Sequence, residues 1–341
     1  MARDVPVRVL VDVPRASWRG NPYIHELIRR MPKGVDVIGF GRRYAVFGAY
    51  DVVHSHWPEH RLRSAKRGRR IGNYGWRLLW MIRLHIQGIP VVRTQHNRRP
   101  HDGGPWLERC LLWVLRLRVR ARVWLTEFSL AESAADSLLD VVIPHGDYRP
   151  WVRRLRPDGV LSVRDSEGPV RLLSLGFIRR YKNFEEGVAV VTRCPDFTLS
   201  IMGGSLDADY TASIADLARG ADNVNLVVGR VAEQELIDAV VAADALLVTY
   251  QDLYNSGIVF LALSLNRPVI VRDGQAAREL QREYGPAWIG TYSGPLTPDG
   301  LREAWRSVVA AEGAPEGSPD RTWPNIARAH ARLYRQVART R

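Results

Sequence analysis

The chain has 341 residues, 46% of them hydrophobic and 25% charged, with two cysteines and a formal net charge of +13, a length that suggests about two domains with ample apolar material for two cores. Two cysteines, Cys110 in an apolar helical stretch and Cys194 before a proline, exclude a disulfide framework and a cysteine-based metal site, and no apolar run reaches the roughly 18–20 residues that cross a bilayer. Residues 1–156 hold 29 Lys+Arg against 13 Asp+Glu (+16), whereas 157–341 hold 20 against 23 (−3), so the basicity belongs to one half, which calls for a polyanionic neighbour, either nucleic acid or an anionic membrane surface.

The N-terminus, Met-Ala-Arg-Asp-Val-Pro, leads straight into a strand-like run, Val7 to Val13, with the acidic Asp12 inside it. That is not the pattern of a signal peptide, and a cytosolic chain is expected. The loop Pro14 to Asn21 leads to a helix opened by Pro22; Val35 to Phe40, Asp51 to His56 and Pro90 to His96 read as strands. Helical stretches are predicted at about 74–87 and 105–119, then strands at Val123 to Thr126 and Val141 to Pro144. This βαβα order implies a parallel sheet with helices on both faces and ligands at the carboxyl ends of its strands.

Polar clusters fall at those ends: Asn21-Pro22-Tyr23, His54-Ser55-His56-Trp57-Pro58-Glu59, His96-Asn97 through His101-Asp102, and His145-Gly146-Asp147. One histidine is more often a structural hydrogen-bonder than a catalyst, but four convergent clusters point to a site. Between them lie the basic run Arg61 to Arg70 and the helical stretches carrying Trp76, Leu79, Trp80, Ile82, Trp106, Leu111, Leu112, Trp113 and Leu115 among Arg77, Arg83, Arg116, Arg118, Arg120 and Arg122. Apolar faces flanked by arginines suit an interfacial helix at an anionic leaflet, each cation near the surface contributing about 1 kcal/mol; the plain alternative is a packing helix with solvated arginines.

Residues 147–169, rich in proline, glycine and charge, read as a linker. A second βα series follows at Val170 to Leu175, Phe197 to Met202, Asn225 to Val228, Ala245 to Tyr250 and Pro268 to Val271, and Trp323 to Val337 reads as a closing amphipathic helix. The expected architecture is α/β: two Rossmann-like domains with parallel sheets facing a central cleft. The expected boundaries are 1–150 for an acceptor- and membrane-facing domain, 151–168 for the linker, 169–320 for a nucleotide-sugar-binding domain and 321–341 for a helix that can pack back on the first domain.

In the second series Asn255-Ser256-Gly257 opens a helix that is apolar almost all round and is stopped by Pro268. Such a turn presents unpaired N–H groups and the positive dipole end to an anion, which describes a phosphate seat. Gly176, followed by Arg179, Arg180 and Lys182, ends the first strand of this series, and Met202-Gly203-Gly204 ends the next. Guanidinium forks and a lysine would neutralise a diphosphate and stabilise it as a leaving group. Asp207-Ala208-Asp209 matches an acidic metal motif but stands at a helix start, so it reads as capping, and no metal or other cofactor is expected. The absence of a P-loop and of GxGxxG weakens kinase, ATPase and dehydrogenase readings.

Taken together, Asn21-Pro-Tyr23, Asp51 through Glu59, Pro90 through Asn97 with Pro100-His101, His145 through Arg149, Arg179 through Lys182, Asn255-Ser-Gly257 through Leu265 with Arg267-Pro-Val269, and Trp323-Pro324 resemble the xanthan-type GDP-mannose:glycolipid β-1,4-mannosyltransferases, glycosyltransferase family 94, of GT-B fold. The resemblance covers nearly the whole chain. It implies transfer of mannose from GDP-mannose, with inversion, to a polyprenyl-diphosphate-linked oligosaccharide in exopolysaccharide biosynthesis, by an enzyme bound peripherally to the cytoplasmic face of the membrane. It implies a nucleotide site of Gly176, Arg179, Arg180, Lys182, Gly203 and the turn Tyr254, Asn255, Ser256, Gly257, and acceptor or sugar contacts from Asn21, Tyr23, His56, Trp57, Asn97, His101 and His145. An inverting reaction needs one base, for which Asp102, Glu59 and His96 are candidates, Asp102 first. The sequence departs from the larger retaining GT-B families at Tyr254 and Ala262, where those carry glutamates, and at Phe177, where they often carry arginine. The competing readings are a retaining GT-B transferase using another nucleotide sugar, a nucleotide-sugar epimerase of the same fold, and a non-enzymatic nucleic-acid-binding protein. The last leaves the clusters of the neutral half unexplained, so no nucleic-acid partner is expected.

Overall fold

The computed structural model describes residues 5–18, 20–61, 67–96, 105–131, 137–157, 168–311 and 313–339. Two compact units divide the chain: Met1–Gly146 together with Pro319–Arg341, and Asp147–Ser318.

The first unit is built on a six-stranded sheet of β1 (Val7–Val11), β2 (Val35–Gly39), β3 (Val52–Ser55), β4 (Val91–Gln95), β5 (Val119–Trp124) and β6 (Leu139–Val142), in the order β2-β1-β3-β4-β5-β6. Every neighbouring pair is parallel. Alternation along the strands feeds two cores. Val9, Val11, Val52 and Val92 pack under the helices Pro22–Arg29 and Trp323–Arg339, through Ile24, Leu27, Ile326, Leu333 and Val337. Leu10, Val53 and Val91 pack on the other face under Arg67–Ile86 and Trp106–Arg116, through Trp80, Met81, Leu84, Leu111 and Leu115. The outer sides of that second pair are unusually apolar: Leu79, Ile82 and Ile86 are exposed, and Trp106 and Trp113 are 72% and 61% exposed.

The second unit repeats the plan with β7 (Val170–Leu175), β8 (Phe197–Gly203), β9 (Val224–Val228), β10 (Ala245–Val248), β11 (Val269–Arg272) and β12 (Ile289–Tyr292), ordered β12-β11-β10-β7-β8-β9 and again all parallel. In both sheets the first strand lies between its successor on one side and a later strand on the other. The strand order therefore reverses at β1/β3 and at β7/β10, and ligands of such sheets bind at the carboxyl ends beside these points. No helix among the described residues is long and apolar enough to cross a membrane.

Several elements differ from the sequence expectation. β5 begins at Val119, four residues ahead of Val123, and the preceding helix stops at Arg116; Arg120 and Arg122 occupy alternate positions of the strand, and Arg122 forks onto Asp140 of β6 at 2.6 and 2.7 Å. The segment 147–169 starts with a helix, Arg149–Leu155, with Trp151 and Val152 buried and Pro150 in its first turn, a position where proline's missing N–H costs nothing. β12 and the helix Pro298–Val308, capped by Thr297 Oγ1 accepting from the Gly300 N–H at 3.1 Å, were not anticipated. Residues 62–66 of the basic run lie outside the described residues.

Candidate active site

At the first reversal point Asp12, 2% exposed, follows β1 and joins it to β3. Its carboxylate accepts from Ser55 Oγ at 2.7 Å and from the His56 N–H at 3.0 Å, and its own N–H donates to the His54 carbonyl at 3.0 Å. This latch fixes the end of β3, where the imidazoles gather. His56 Nδ1 is 3.0 Å from His96 Nε2, and the Trp57 ring stacks on His96 at 4.2 Å and 19°. Tyr23, in the first turn of the helix capped by Asn21, contacts the rings of His56, His96 and His145 at 5.8, 5.3 and 5.0 Å. Tyr23, His56, Trp57, His96 and His145 thus come together from four separate stretches. Asn21 stands beside them, with its side-chain oxygen committed to the Ile24 N–H at 3.2 Å. Glu59 follows in the turn Pro58–Arg61. Asn97, His101 and Asp102 lie outside the described residues.

His54, together with His330 and Tyr334, two residues absent from the sequence reading, completes this cluster. His54, fully buried, is held by Thr94 Oγ1 at 2.8 Å on Nε2 and by the Tyr334 hydroxyl at 2.6 Å on Nδ1. His330 lies one helical turn before Tyr334 and donates its Nδ1–H to the Ile326 carbonyl at 2.9 Å. His145 likewise meets the Gly146 carbonyl at 2.7 Å through Nδ1; a carbonyl only accepts, so that nitrogen carries the proton. Burial, then neighbouring imidazoles, holds His54 and His56 well below the usual imidazole range and His96 at about 3. Burial also lowers His145 and His330 to about 4, their carbonyl contacts opposing it. The cluster is neutral at pH 7. Among the described residues no group of three or more His, Cys, Asp or Glu is placed to hold a metal ion.

At the second reversal point β7 ends in Gly176, at φ 98°. A Cβ there would stand 2.6 Å from Lys182 Nζ and 3.3 Å from Ile258 Cδ1, and one on Gly203, at the end of β8, would stand 2.2 Å from the Gly176 oxygen. The two glycines are what let the lysine and the helix Gly257–Ser264 close on the strand end. Lys182 is 6% exposed. Its Nζ donates to the Leu175 carbonyl at 3.1 Å and faces the Tyr250 ring at 5.2 Å, while its own carbonyl accepts from Thr249 Oγ1 at 2.8 Å. The residue therefore ties β7 to the segment after β10. Burial, with a contribution from Arg179, lowers its ammonium to about 7.

Ser256 occupies the N-cap of Gly257–Ser264 but makes no side-chain capping bond; its hydroxyl engages Tyr250 instead. The Asn255 Nδ2 is enclosed without a hydrogen-bond partner among the described residues. Uncapped first-turn amides, an enclosed amide donor and a buried lysine form a seat for an anion at a helix N-terminus. Arg180 does not converge on this seat: its Nε is 2.9 Å from Asp207 Oδ2 and its guanidinium lies 5.2 Å over the Tyr210 ring. Arg179 sits 5.8 Å from the exposed Phe177 ring. Asp207 itself caps Ala208–Ala218, accepting from the Tyr210 N–H at 3.0 Å, as its position suggested.

No protein-family model matches the chain. Two sequences from Xanthomonas campestris pv. campestris, each called GDP-mannose:glycolipid 4-beta-D-mannosyltransferase, are 30% identical to it over 334 residues, covering 96% of this chain and 92% of theirs. Among solved structures, sucrose-phosphate synthase from Thermosynechococcus elongatus is similar with a TM-score of 0.64 at 15% identity, over 98% of this chain and 100% of that one. A glycosyltransferase involved in avilamycin A biosynthesis is similar with a TM-score of 0.58 at 17% identity, over 98% and 99%. At such identities the solved structures show the GT-B fold alone. The sequence match runs through both units at once, and on it the chain is a glycosyltransferase that belongs to the family of the Xanthomonas GDP-mannose:glycolipid 4-beta-D-mannosyltransferase.

Proposed function

We propose that the protein transfers mannose from GDP-mannose, with inversion, to a polyprenyl-diphosphate-linked oligosaccharide at the cytoplasmic face of the membrane, in exopolysaccharide assembly. The observation that carries the donor half is the seat at Gly176, Lys182 and Gly257, where the diphosphate of the nucleotide would lie. Lys182 and the helix amides neutralise the charge that develops on departing GDP. The acceptor half rests on the first unit: its aromatic and imidazole cluster offers sugar contacts through Tyr23, Trp57 and His145, and its exposed tryptophans and arginines suit an anionic leaflet.

In a single displacement a base takes the acceptor hydroxyl proton as the oxygen attacks the anomeric carbon and GDP leaves. An imidazole at about 3 is poorly matched to that task at neutral pH. His96, engaged by His56 Nδ1 at 3.0 Å and stacked on by Trp57, is read as a hydrogen-bonding contact, which leaves a carboxylate, Asp102 or Glu59, as the base. Calorimetric titration with GDP, UDP and GDP-mannose, on the wild type and on Lys182→Ala, tests the donor. Selective binding of GDP and GDP-mannose that is lost in the variant is expected; preference for UDP would sink the mannosyl assignment. The anomeric configuration of the product, read by NMR, tests inversion.

A further inference from the structure

Arg93, the middle residue of β4, carries a guanidinium that the described residues do not pair. It lies in register between Ser55 of β3 and Arg122 of β5. Its side chain shares the face of Val91, the face packed by Arg67–Ile86 and Trp106–Arg116. It is partly buried, and its Nε is shut off from solvent without a hydrogen-bond partner among the described residues. Other arginines of this sheet behave differently: Arg8 forks onto Asp51 at 3.2 and 3.0 Å, and Arg122 onto Asp140 at 2.7 and 2.6 Å. Glu59 and Asp12 exert attraction on Arg93 from beyond ion-pair distance, and Arg116 repels it. Asp12 is already committed to Ser55 and His56.

With Nε enclosed and unpartnered, the planar fork of Arg93 matches a bidentate oxyanion that reaches its terminal nitrogens. The helices that flank this face expose Leu79, Ile82, Trp106 and Trp113. An oxyanion seat on the sheet face that these two helices cover, with apolar outer sides on the same helices, suits an amphiphile, an anionic head on an apolar tail. We propose that Arg93 is the seat for the phosphate of the lipid-linked acceptor. This rests on the reading above that the acceptor is a glycolipid.

The test uses the full chain with GDP at saturation, so that the second unit's seat is filled. Farnesyl diphosphate and farnesol are titrated by calorimetry into the wild type, Arg93→Met and Arg93→Lys. The wild type should prefer the diphosphate by about tenfold or more. Arg93→Met should lose that preference while binding farnesol as before, and Arg93→Lys should keep part of it. Equal preference in wild type and Arg93→Met would overturn the proposal. Arg93-dependent binding of galacturonate over galactose, with no response to the diphosphate, would overturn the phosphate assignment and give the seat to a carboxylate on the glycan. GDP-mannose titrated into the same samples without GDP reads the donor site separately. Its failure alongside an intact Arg93 effect would sink the mannosyl reading and leave the anion seat standing.

Discussion

The Tyr334 hydroxyl lies 2.6 Å from His54 Nδ1 although 280 residues separate them in sequence, and the opposite ring nitrogen of His54 is 2.8 Å from Thr94 Oγ1. Both side chains are fully enclosed. Tyr334→Phe leaves an imidazole nitrogen buried without its partner, at a cost of about 1–3 kcal/mol. Urea denaturation should show that loss; a change below about 0.5 kcal/mol would mean that the contact contributes nothing.

Gly176→Ala and Gly220→Ala separate backbone strain from the donor seat. Both glycines have positive φ, 98° and 78°, but only Gly176 faces Lys182, whereas nothing lies within 4 Å of a Cβ on Gly220. Each substitution should cost about 1–3 kcal/mol of stability. Calorimetry should show GDP-mannose affinity falling more than about tenfold in the first alone; equal binding in the two variants would remove Gly176 from the site.

Lys182 should make binding of a diphosphate pH-dependent. Its ammonium is held at about 7 by burial and Arg179, against about 10.4 in an unfolded chain. Between those values the unfolded chain holds the extra proton, so this group's contribution makes stability rise with pH across that window and fall as pH drops toward 7. A bound anion favours the charged form and draws a proton in. GDP affinity should therefore weaken above pH 7, with proton uptake visible when calorimetry is repeated in buffers of different ionisation enthalpy. In Lys182→Met both effects should vanish.

The imidazole cluster sets an acid limit on the first unit. His96 at about 3, His145 and His330 at about 4, and His54 and His56 well below the ordinary range all titrate near 6.5 once unfolded. Their contribution is complete above about pH 6.5 and is lost as pH falls toward 4, because the unfolded chain then binds more protons. Thermal melts between pH 7.5 and 4.5 should fall steeply below 6.5. A flat profile would show that these rings are not enclosed.

The exposed tryptophans give a direct test of membrane contact. A tryptophan side chain buries about 150–250 Å², and at about 25 cal/mol per Å² half-insertion of Trp113 is worth roughly 2–3 kcal/mol. Trp113→Ser should lower sedimentation with anionic vesicles by about tenfold or more, without changing GDP binding. No change would leave that face a plain solvent surface.

Legibility in the sequence followed period and punctuation. Val7, Val35 and Val170 open strands close to where their apolar runs place them, and Pro22, Asp207 and Trp323 mark helix starts because their chemistry is local. β5 was displaced because Arg120 and Arg122 hide its alternation, and Arg122 is apolar in effect only once Asp140 neutralises it. At the candidate site, Tyr23, His56, His96 and His145 could be found from their positions at strand ends. Asp12 sits at such an end too, and its place inside a predicted strand concealed it. His330 and Tyr334 were beyond reach, since the closing helix could be expected to pack back on the first domain but no local pattern says which of its residues will meet β3. The ion pair of Arg180 was hidden for a similar reason: Asp207, its partner, lies on another strand's connection.

Trp323–Arg339 supplies Trp323, Ile326, Leu333 and Tyr334 to the core of the unit that begins the chain. On the ribosome, then, the first unit emerges with one face of its sheet covered only in part, by Pro22–Arg29, and keeps it so while all of Asp147–Ser318 is made. At about 5–20 residues per second that exposure lasts on the order of ten to thirty seconds. The second unit, continuous in sequence, can close as soon as it leaves the tunnel. The half of the protein synthesised first is thus the half completed last.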